Sequence, residues 1–243
     1  MRNLEEFNGK HLGQPGIVIG SGTSVLDVDL SLFKNYPRIT VNSGYMACTD
    51  AEYFVSDDEE ISLWNFFCND LRNSNTIVFL YEDKLQDRVE WFGDRSVLFR
   101  HRQGYHITDK YEHENKKNRI VQCRSSLGSA IHIAIIMGCD PILVVGLDCY
   151  RWNSYRWFWQ HPSWQGIRPY RIDRHKEDKY RQKYHRRVKT DDDLVDIMRY
   201  WQAQGGEFNK KCRVYNCSKD SLVDVFPKIS AMDFVDKFNS AKE

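Results

Sequence analysis

The sequence lacks the cysteine patterns that mark disulfide frameworks and zinc sites. It contains 7 cysteines, an odd number, and no two of them form a Cys-x-x-Cys pair. Several lie within apolar strand or helix patterns, where cysteine packs as a small hydrophobic side chain. The sequence therefore predicts a reducing compartment, no disulfide framework and no structural zinc.

Long apolar runs and a strong net charge are also missing. No stretch is apolar for long enough to span a bilayer, and residues 1–7 lack the apolar core of a signal peptide, so we expect a cytoplasmic protein. The net charge of +1 gives no argument from overall charge for a nucleic-acid or membrane partner. A chain of 243 residues with 41% hydrophobic residues is long enough to bury a full core.

Strand and helix patterns alternate along the chain. Short apolar runs predict strands over residues 16–19, 38–42, 52–56, 76–80, 96–99, 141–145 and 213–216. Helical patterns fall over residues 25–33, 59–71, 130–137 and from 191 onward, with short helices near 221–226 and 233–238. This alternation predicts an α/β, Rossmann-like doubly wound, mostly parallel sheet in a single domain over residues 1–243. Residues 101–120 give no clear assignment.

The first glycine-rich turn is a candidate anion site. The strand pattern of residues 16–19 runs directly into Gly20-Ser21-Gly22-Thr23-Ser24, and a helical pattern follows. A strand, a glycine turn and a helix N-terminus form an anion cradle, because free N–H groups and the helix dipole point at the ligand. The turn has neither the third glycine of a dinucleotide fingerprint nor the lysine of a P-loop. Taken alone, it is equally typical of a tight turn without a ligand.

Polar residues follow the other predicted strands as well. Because the carboxyl ends of parallel strands meet at one edge of the sheet, we expect these residues to form a nucleotide-binding site. The candidates are Gly20, Ser21, Gly22, Ser24, Asn42, Ser43, Ser56, Asp57, Ser125, Ser126, Gly128 and Asp148. For any one cluster, a helix cap or the end of a turn is an equally good explanation.

Carboxylates and histidines raise two further chemical possibilities. Asp57 and Asp148 have the oxygen ligands that Mg²⁺ prefers, but acidic residues 57–60 are more typical of the first turn of a helix, so we expect no metal. An imidazole titrates near neutral pH, which makes histidines in polar surroundings candidates for a general base. These are His101, His106, His113, His161, His175 and His185.

Residues 151–189 differ in composition from the rest of the chain. They hold 12 lysines and arginines, 9 aromatic residues and 3 acidic residues, so the remainder is acidic by nearly the same amount. Arginine clamps and aromatic rings predict an inserted lid or acceptor-binding segment that closes over an anionic ligand. Binding of single-stranded nucleic acid is the alternative. We favour the lid, because the segment directly follows a strand end of the predicted site.

Several of these stretches together resemble a known group of proteins. They are the turn G-S-G-T-S-V-L at residues 20–26, V-N-S at 41–43, the block S-S-L-G-S-A-I-H-I-A-I-I-M-G-C-D-P-I-L-V-V-G-L-D-C-Y at 125–150, and V-Y-N-C-S-K-D-S-L-V-D-V-F-P at 214–227. They resemble the bacterial sialyltransferases of glycosyltransferase family 42. They equally resemble the related DUF115 superfamily, which includes motility-accessory glycosyltransferases and an archaeal pterin pyrophosphokinase.

The resemblance implies roles for particular residues. By analogy with the sialyltransferases, the glycine turn and Asn42 contact CMP, as do Ser125 and Ser126. Tyr150 and Tyr155 match the tyrosines that bind the leaving phosphate. His185 matches the general base, which precedes a helix that opens with Thr-Asp.

The resemblance also implies an activity. We expect a metal-independent, inverting glycosyltransferase that moves a CMP-activated nonulosonic acid or similar sugar from a nucleotide-sugar donor to the hydroxyl of a glycan or other acceptor, without a cofactor. One alternative is a pyrophosphokinase of the same superfamily that depends on Mg²⁺ and ATP. The other is a non-enzymatic protein that binds single-stranded nucleic acid, which we regard as less favoured. A homo-oligomer is compatible with the sequence.

Overall fold

Parallel strands form one eight-stranded sheet in the computed structural model, which describes residues 2–102, 119–121, 125–149, 157–166, 201–202 and 205–239. Every hydrogen-bonded neighbour in this sheet is parallel. The strands are β1 (Gly16–Ile19), β2 (Arg38–Val41), β3 (Tyr53–Ser56), β4 (Ile77–Tyr81), β5 (Ser96–Arg102), β6 (Arg119–Val121), β7 (Ile142–Val145) and β8 (Val214–Asn216).

The strand order contains one reversal of direction across the sheet. The order is β6-β5-β4-β3-β2-β1-β7-β8, so the first six strands are laid down outward from β1. The chain then returns to place β7 on the other side of β1. In open α/β sheets, the crevice at the carboxyl ends of the two strands flanking such a reversal is where ligands bind. The topology therefore predicts a ligand site at the carboxyl ends of β1 and β7.

Both faces of the central strands are buried. Val18 and Val144 belong to the apolar cluster on one side of the sheet, whereas Ile17 and Leu143 belong to the cluster on the other side. Strands covered on both faces are continuously apolar, which is why β1 and β7 contain almost no polar residues. The predicted α/β, Rossmann-like doubly wound fold is confirmed.

Helices cover the two faces. Within the described part of the chain the α-helices include α1 (Glu82–Leu85), α2 (Ser126–Ile136) and α3 (Ala231–Asn239). All residues of α2 are buried, as its all-round apolar pattern predicts. The hydroxyl of Ser125 caps α2 by accepting from the Leu127 N–H at 3.2 Å. In α3, Phe234 and Phe238 pack into the opposite cluster.

Several local predictions were wrong. Residues 25–33 form no α-helix but two 3₁₀ turns, Thr23–Asp27 and Leu30–Phe33. They are separate because Asp29 is extended and its carboxylate accepts from the Ser31 N–H at 3.0 Å, which starts the second turn. Residues 59–71 are helical as predicted, but they form a 3₁₀ helix, Glu59–Leu63, and a π-helix, Phe67–Leu71, instead of one regular helix. Residues 221–226 are not helical. Strand β6 begins within the stretch 101–120, which had no clear assignment from the sequence, and ends at Val121.

Two predictions concern residues that the structure describes only in part. Of the predicted lid, residues 157–166 are described and the rest of 151–189 lies outside the described residues. The single domain over residues 1–243 stays a prediction. Each helix among the described residues is too short or too polar to span a lipid bilayer.

Candidate functional site

The turns after β1 and β7 lie directly against each other at the strand reversal. The Gly20 N–H donates to the carbonyl of Val145 at 2.8 Å, and the Gly22 N–H donates to the carbonyl of Gly146 at 3.1 Å. A Cβ on Gly22 would lie 2.5 Å from Oδ2 of Asp148, so only glycine fits there. Gly146 has φ +78°, which favours glycine for a different reason. Backbone hydrogen bonds thus hold the turn after β1 against the turn after β7.

The buried carboxylate of Asp148 accepts hydrogen bonds from the glycine turn. Oδ2 of Asp148 accepts from the Thr23 hydroxyl at 3.1 Å and from the Ser24 N–H at 2.9 Å. The Ser24 hydroxyl donates to the other carboxylate oxygen. Because the amides of Gly20 and Gly22 are also engaged, the glycine turn is stabilised from within the protein. A role of Gly20, Gly22, Ser24 and Asp148 in binding a nucleotide stays a prediction.

The end of β2 brings three other predicted residues together. The Ser21 hydroxyl donates to the carbonyl of Val41 at 3.3 Å, beside Asn42. Asn42 adopts the left-handed conformation with φ +49°, and its Nδ2 donates to Oγ of Ser126 at 3.4 Å. Its Oδ1 is buried and has no hydrogen-bond partner among the described residues. A buried acceptor without a partner is energetically costly, so this atom is a candidate contact for a ligand.

Three of the remaining candidates are engaged in local structure. The Ser56 hydroxyl accepts from the Asp58 N–H at 3.1 Å, at the end of β3. Ser125 caps α2, and Gly128 is buried in the first turn of that helix. Helix capping describes the observed contact of Ser125, whereas the Ser56 contact closes a turn at the end of β3.

Asp57 lies in a hydrogen-bonded cluster with α2 and β5. Its carboxylate accepts from the hydroxyls of Ser126 and Ser129, the second at 3.1 Å. Nε2 of His101 lies 3.3 Å from the Ser129 hydroxyl and 3.5 Å from Oδ2 of Asp57. The His101 ring is stacked on Tyr81, with ring centroids 4.4 Å apart.

Burial sets the protonation states of this cluster. Desolvation raises the pKa of Asp57 to about 6, against the hydrogen bond from Ser129. Desolvation also lowers the pKa of His101 to about 4, and the nearby Lys84 charge acts in the same direction. At neutral pH the pair is therefore a carboxylate beside an uncharged imidazole, not an ion pair. His101 was one of six candidate bases predicted from the sequence, in which nothing indicated its pairing with Asp57.

Residues 157–166, which we call the tryptophan segment, lie beside the glycine turn. The Phe158 N–H donates to the carbonyl of Ser21 at 3.1 Å, and the Phe158 side chain is fully buried. Nε1 of Trp159 donates to the hydroxyl of Ser43 at 3.1 Å. Trp157 and Trp159 are stacked, with centroids 5.2 Å apart and planes 9° from parallel. The segment thus places two half-buried indoles next to the end of β2.

The three predicted catalytic residues, Tyr150, Tyr155 and His185, lie outside the described residues.

The two carboxylates considered for Mg²⁺ are separately engaged, Asp57 with α2 and Asp148 with the glycine turn. Within the described ranges, no group of three or more histidine, cysteine and acidic side chains is arranged to hold a metal ion. The expectation that no metal is needed stays a prediction.

The parallel sheet, with hydroxyl and amide side chains gathered at its strand reversal, defines a Rossmann-like α/β protein with a candidate ligand-binding edge. No protein-family model matches the chain, and a search of curated proteins gives no match either. Solved structures share the fold at low sequence identity. The MAf glycosyltransferase from Magnetospirillum magneticum AMB-1 superimposes with a TM-score of 0.57 and 11% identity. The match covers 96% of this chain but 37% of that one, so the chain spans about a third of the length of this neighbour.

Two further neighbours are sialyltransferase structures. CstII from Campylobacter jejuni in complex with CMP-3FNeuAc gives a TM-score of 0.49 with 13% identity, covering 88% of this chain and 86% of that one. CST-II in complex with a trisaccharide acceptor and CMP gives 0.48 and 12%, covering 89% and 86%.

Proposed function

We propose that this protein is a glycosyltransferase that binds a nucleotide-activated sugar at the carboxyl edge of its sheet. The finer proposal is a sialyltransferase-like reaction, in which a CMP-linked nonulosonic acid or similar sugar is transferred to the hydroxyl of a glycan or other acceptor. The fold shared with a glycosyltransferase and the resemblance of residues 20–26, 41–43 and 125–150 to glycosyltransferase family 42 support this reading.

One observation carries the proposal. Ser21, Asn42 and Ser126 are far apart in the sequence, yet the structure joins them at the ends of β1 and β2 and the start of α2. Oδ1 of Asn42 is buried there without a partner. A nucleotide that donates a hydrogen bond to this oxygen would remove the unfavourable free energy of the unpaired acceptor.

The surroundings suit a nucleotide held by polar groups rather than by a cluster of positive charges. The indole rings of Trp157 and Trp159 lie beside Ser43 and are stacked on each other, so a base or a sugar ring would extend this stack on the outer side of Trp157. Under this proposal Tyr150 and Tyr155 stabilise the departing phosphate and His185 accepts the proton of the acceptor hydroxyl. The basic residues of 151–189 would close over the donor.

Isothermal titration calorimetry with CMP, CDP, ATP and GTP, each with and without Mg²⁺, tests the proposal. We expect CMP and CDP to bind whether or not Mg²⁺ is present, and Asn42→Ala to weaken CMP binding by about tenfold, the loss of one buried hydrogen bond. Ser62→Ala is the matched control, since Ser62 is a buried serine whose hydroxyl donates to the carbonyl of Glu59. Absence of CMP and CDP binding would overturn the proposal.

A turnover assay separates the chemistry from binding. With a CMP-linked nonulosonic acid as donor, His185→Ala should lose transfer while retaining its affinity for CMP. Unchanged transfer would remove His185 from the mechanism. Binding of ATP only with Mg²⁺ would instead support the pyrophosphokinase alternative, and affinity for single-stranded DNA that falls steeply with salt would support the nucleic-acid alternative.

A further inference from the structure

The hydroxyl of Ser126 has no hydrogen-bonding capacity to spare. A serine hydroxyl has one proton to donate and two lone pairs that accept. The proton of Ser126 goes to Oδ1 of Asp57. Its oxygen accepts from the Asp57 N–H at 3.3 Å and from Nδ2 of Asn42 at 3.4 Å. As long as Asp57 is a carboxylate, Ser126 can only accept from Asn42.

This constraint sets which way the side-chain amide of Asn42 points. An asparagine amide has a donor side and an acceptor side that are nearly identical in shape, and the hydrogen-bond network decides between them. Because the Ser126 hydroxyl already donates its proton to Asp57, the NH₂ group of Asn42 must be the side of the amide that faces Ser126. Oδ1 must then point away from Ser126, and it is the oxygen that is buried without a partner among the described residues.

We infer that Asp57 and Ser126 are positioning residues that fix the amide of Asn42 with its oxygen toward the ligand, so that the ligand group bound there must be a hydrogen-bond donor. This inference rests on the proposed function for the identity of the ligand. In a cytidine nucleotide the donors are the ribose hydroxyls and the exocyclic amino group of the base. An ionised phosphate oxygen only accepts, so the nucleoside part of the ligand, not its phosphate, contacts Asn42.

Protonation of Asp57 removes the constraint. A protonated Oδ1 donates to the Ser126 oxygen, and the Ser126 hydroxyl is then free to donate to Asn42. The Asn42 amide can then turn its oxygen toward Ser126, so this acceptor no longer faces the ligand. Selection for a donor group should therefore weaken as the pH falls below the pKa of Asp57, which burial raises to about 6.

The groups that face Asp57 come from three elements besides its own. Nζ of Lys84 in α1 donates to the Asp57 carbonyl at 3.3 Å, and Asp58 is its neighbour in the chain. His101 in β5 lies 3.5 Å from the carboxylate, and α2 supplies the hydroxyls of Ser126 and Ser129. The pKa of His101 is lowered to about 4, so Asp57 takes up its proton at a higher pH than His101 does.

An NMR titration tests the network without any ligand. We expect the side-chain NH₂ signals of Asn42, assigned by their loss in Asn42→Asp, to shift with a midpoint near pH 6 in the wild-type protein. The shift should disappear in Asp57→Asn and in Ser126→Ala and should return in Ser126→Thr, which restores the hydroxyl. Ser129→Ala removes a hydrogen bond that lowers the pKa of Asp57, so it should move the midpoint upward. No midpoint in the wild type, or the same midpoint in Asp57→Asn, would overturn the inference.

Calorimetry with matched nucleotides tests the selection. 2′-DeoxyCMP and 3′-deoxyCMP each lack one ribose hydroxyl of CMP, and UMP has a carbonyl in place of the exocyclic amino group together with a proton on N3. We expect one of these three analogues to bind about tenfold more weakly than CMP at pH 7.5. In Ser126→Ala, and in the wild type at pH 5, that difference should shrink, whereas Ser126→Thr should keep it. Equal affinity of all four nucleotides at pH 7.5 would contradict the inference while leaving nucleotide binding intact. If CMP does not bind at all, the proposed function fails, and the NMR titration still decides the positioning of Asn42.

Discussion

Ser24 and Asp148 are 124 residues apart in the sequence and share a buried hydrogen-bonded contact at the strand reversal. The N–H of Ser24 donates to Oδ2 of Asp148 at 2.9 Å, and the hydroxyl of Ser24 donates to Oδ1. With Thr23 also donating to Oδ2, the carboxylate holds the turn after β1 against the turn after β7. The hydrogen-bond acceptor at this glycine turn is therefore a side chain of the protein itself.

Removal of this carboxylate should destabilise the fold. Asp148→Ala leaves three donors of Thr23 and Ser24 buried without an acceptor, and we expect a loss of about 3 kcal/mol in the free energy of unfolding. Asp224→Ala is the matched control, since Asp224 is an exposed aspartate paired with Lys228. Its loss should change stability by about 1 kcal/mol at most. Urea denaturation measures both, and equal midpoints for the two variants would contradict the role assigned to Asp148.

The close approach of the two turns should make Gly22 intolerant of a side chain. In Gly22→Ala the new Cβ would lie 2.5 Å from Oδ2 of Asp148 and 2.6 Å from the carbonyl oxygen of Gly146. We expect a loss of about 2 kcal/mol or more, because neither the backbone nor the held carboxylate can move freely.

Gly206 is the control for this substitution. A Cβ at Gly206 meets no atom within 4 Å, and the residue lies in a helical stretch of the described chain. Gly206→Ala should therefore leave stability unchanged or raise it by about 0.5–1 kcal/mol. Thermal unfolding measures both variants. A melting temperature of Gly22→Ala equal to or above that of Gly206→Ala would show that the two turns are not in contact.

Asp57 and His101 should contribute to stability with opposite pH dependence. Asp57 has its pKa raised from 3.8 to about 6, so the folded state holds a proton that the unfolded state has lost, and stability decreases as the pH rises through this window. His101 has its pKa lowered from 6.5 to about 4, so the unfolded state binds the extra proton and stability increases as the pH rises from 4 to 6.5. Each contribution is about 3 kcal/mol, and the two largely offset each other in the wild-type protein.

Single substitutions should reveal the pH-dependent contribution of each group to the free energy of unfolding. Relative to wild type, Asp57→Asn should gain stability as the pH rises from 4 to 6.5, because the opposing contribution of Asp57 is gone. His101→Gln should lose stability over the same range. Urea unfolding at pH 4, 5, 6 and 7 measures these differences, and parallel curves for all three proteins would show that neither group has a shifted pKa.

Trp159 should support the ligand site through its indole N–H as well as its ring. Trp159→Phe keeps an aromatic face beside Trp157 but removes the hydrogen bond to Ser43. We expect CMP affinity to fall by about three- to tenfold, and Ser43→Ala to reproduce most of this loss. Trp91→Phe is the control, because Trp91 packs on Phe67 and under Arg72 and Arg88, away from the strand reversal. An equal effect of Trp91→Phe would argue against a specific role for Trp159.

The class of fold was predictable because it follows from short-range patterns. Continuous apolar runs such as Ile142–Val145 are typical of strands covered on both faces, and the all-apolar stretch of α2 can only be a buried helix. Local helix type was less predictable. The stretch from Val25 to Phe33 has helical spacing, but the competing hydrogen bond from Ser31 to Asp29 divides it.

The sequence by itself determined the parallel sheet, the buried helix α2 and the gathering of polar residues at the carboxyl ends of the strands, since apolar periodicity and strand direction are properties of each segment. Only the tertiary structure decided which partner each polar side chain has. It placed the side chain of Asp148 against the glycine turn, paired Asp57 with Ser126 and His101, and left Oδ1 of Asn42 without a partner among the described residues. These contacts join residues from strands laid down far apart in the chain, and hydrogen-bond geometry over such separations is set by how the strands pack, which no local pattern encodes.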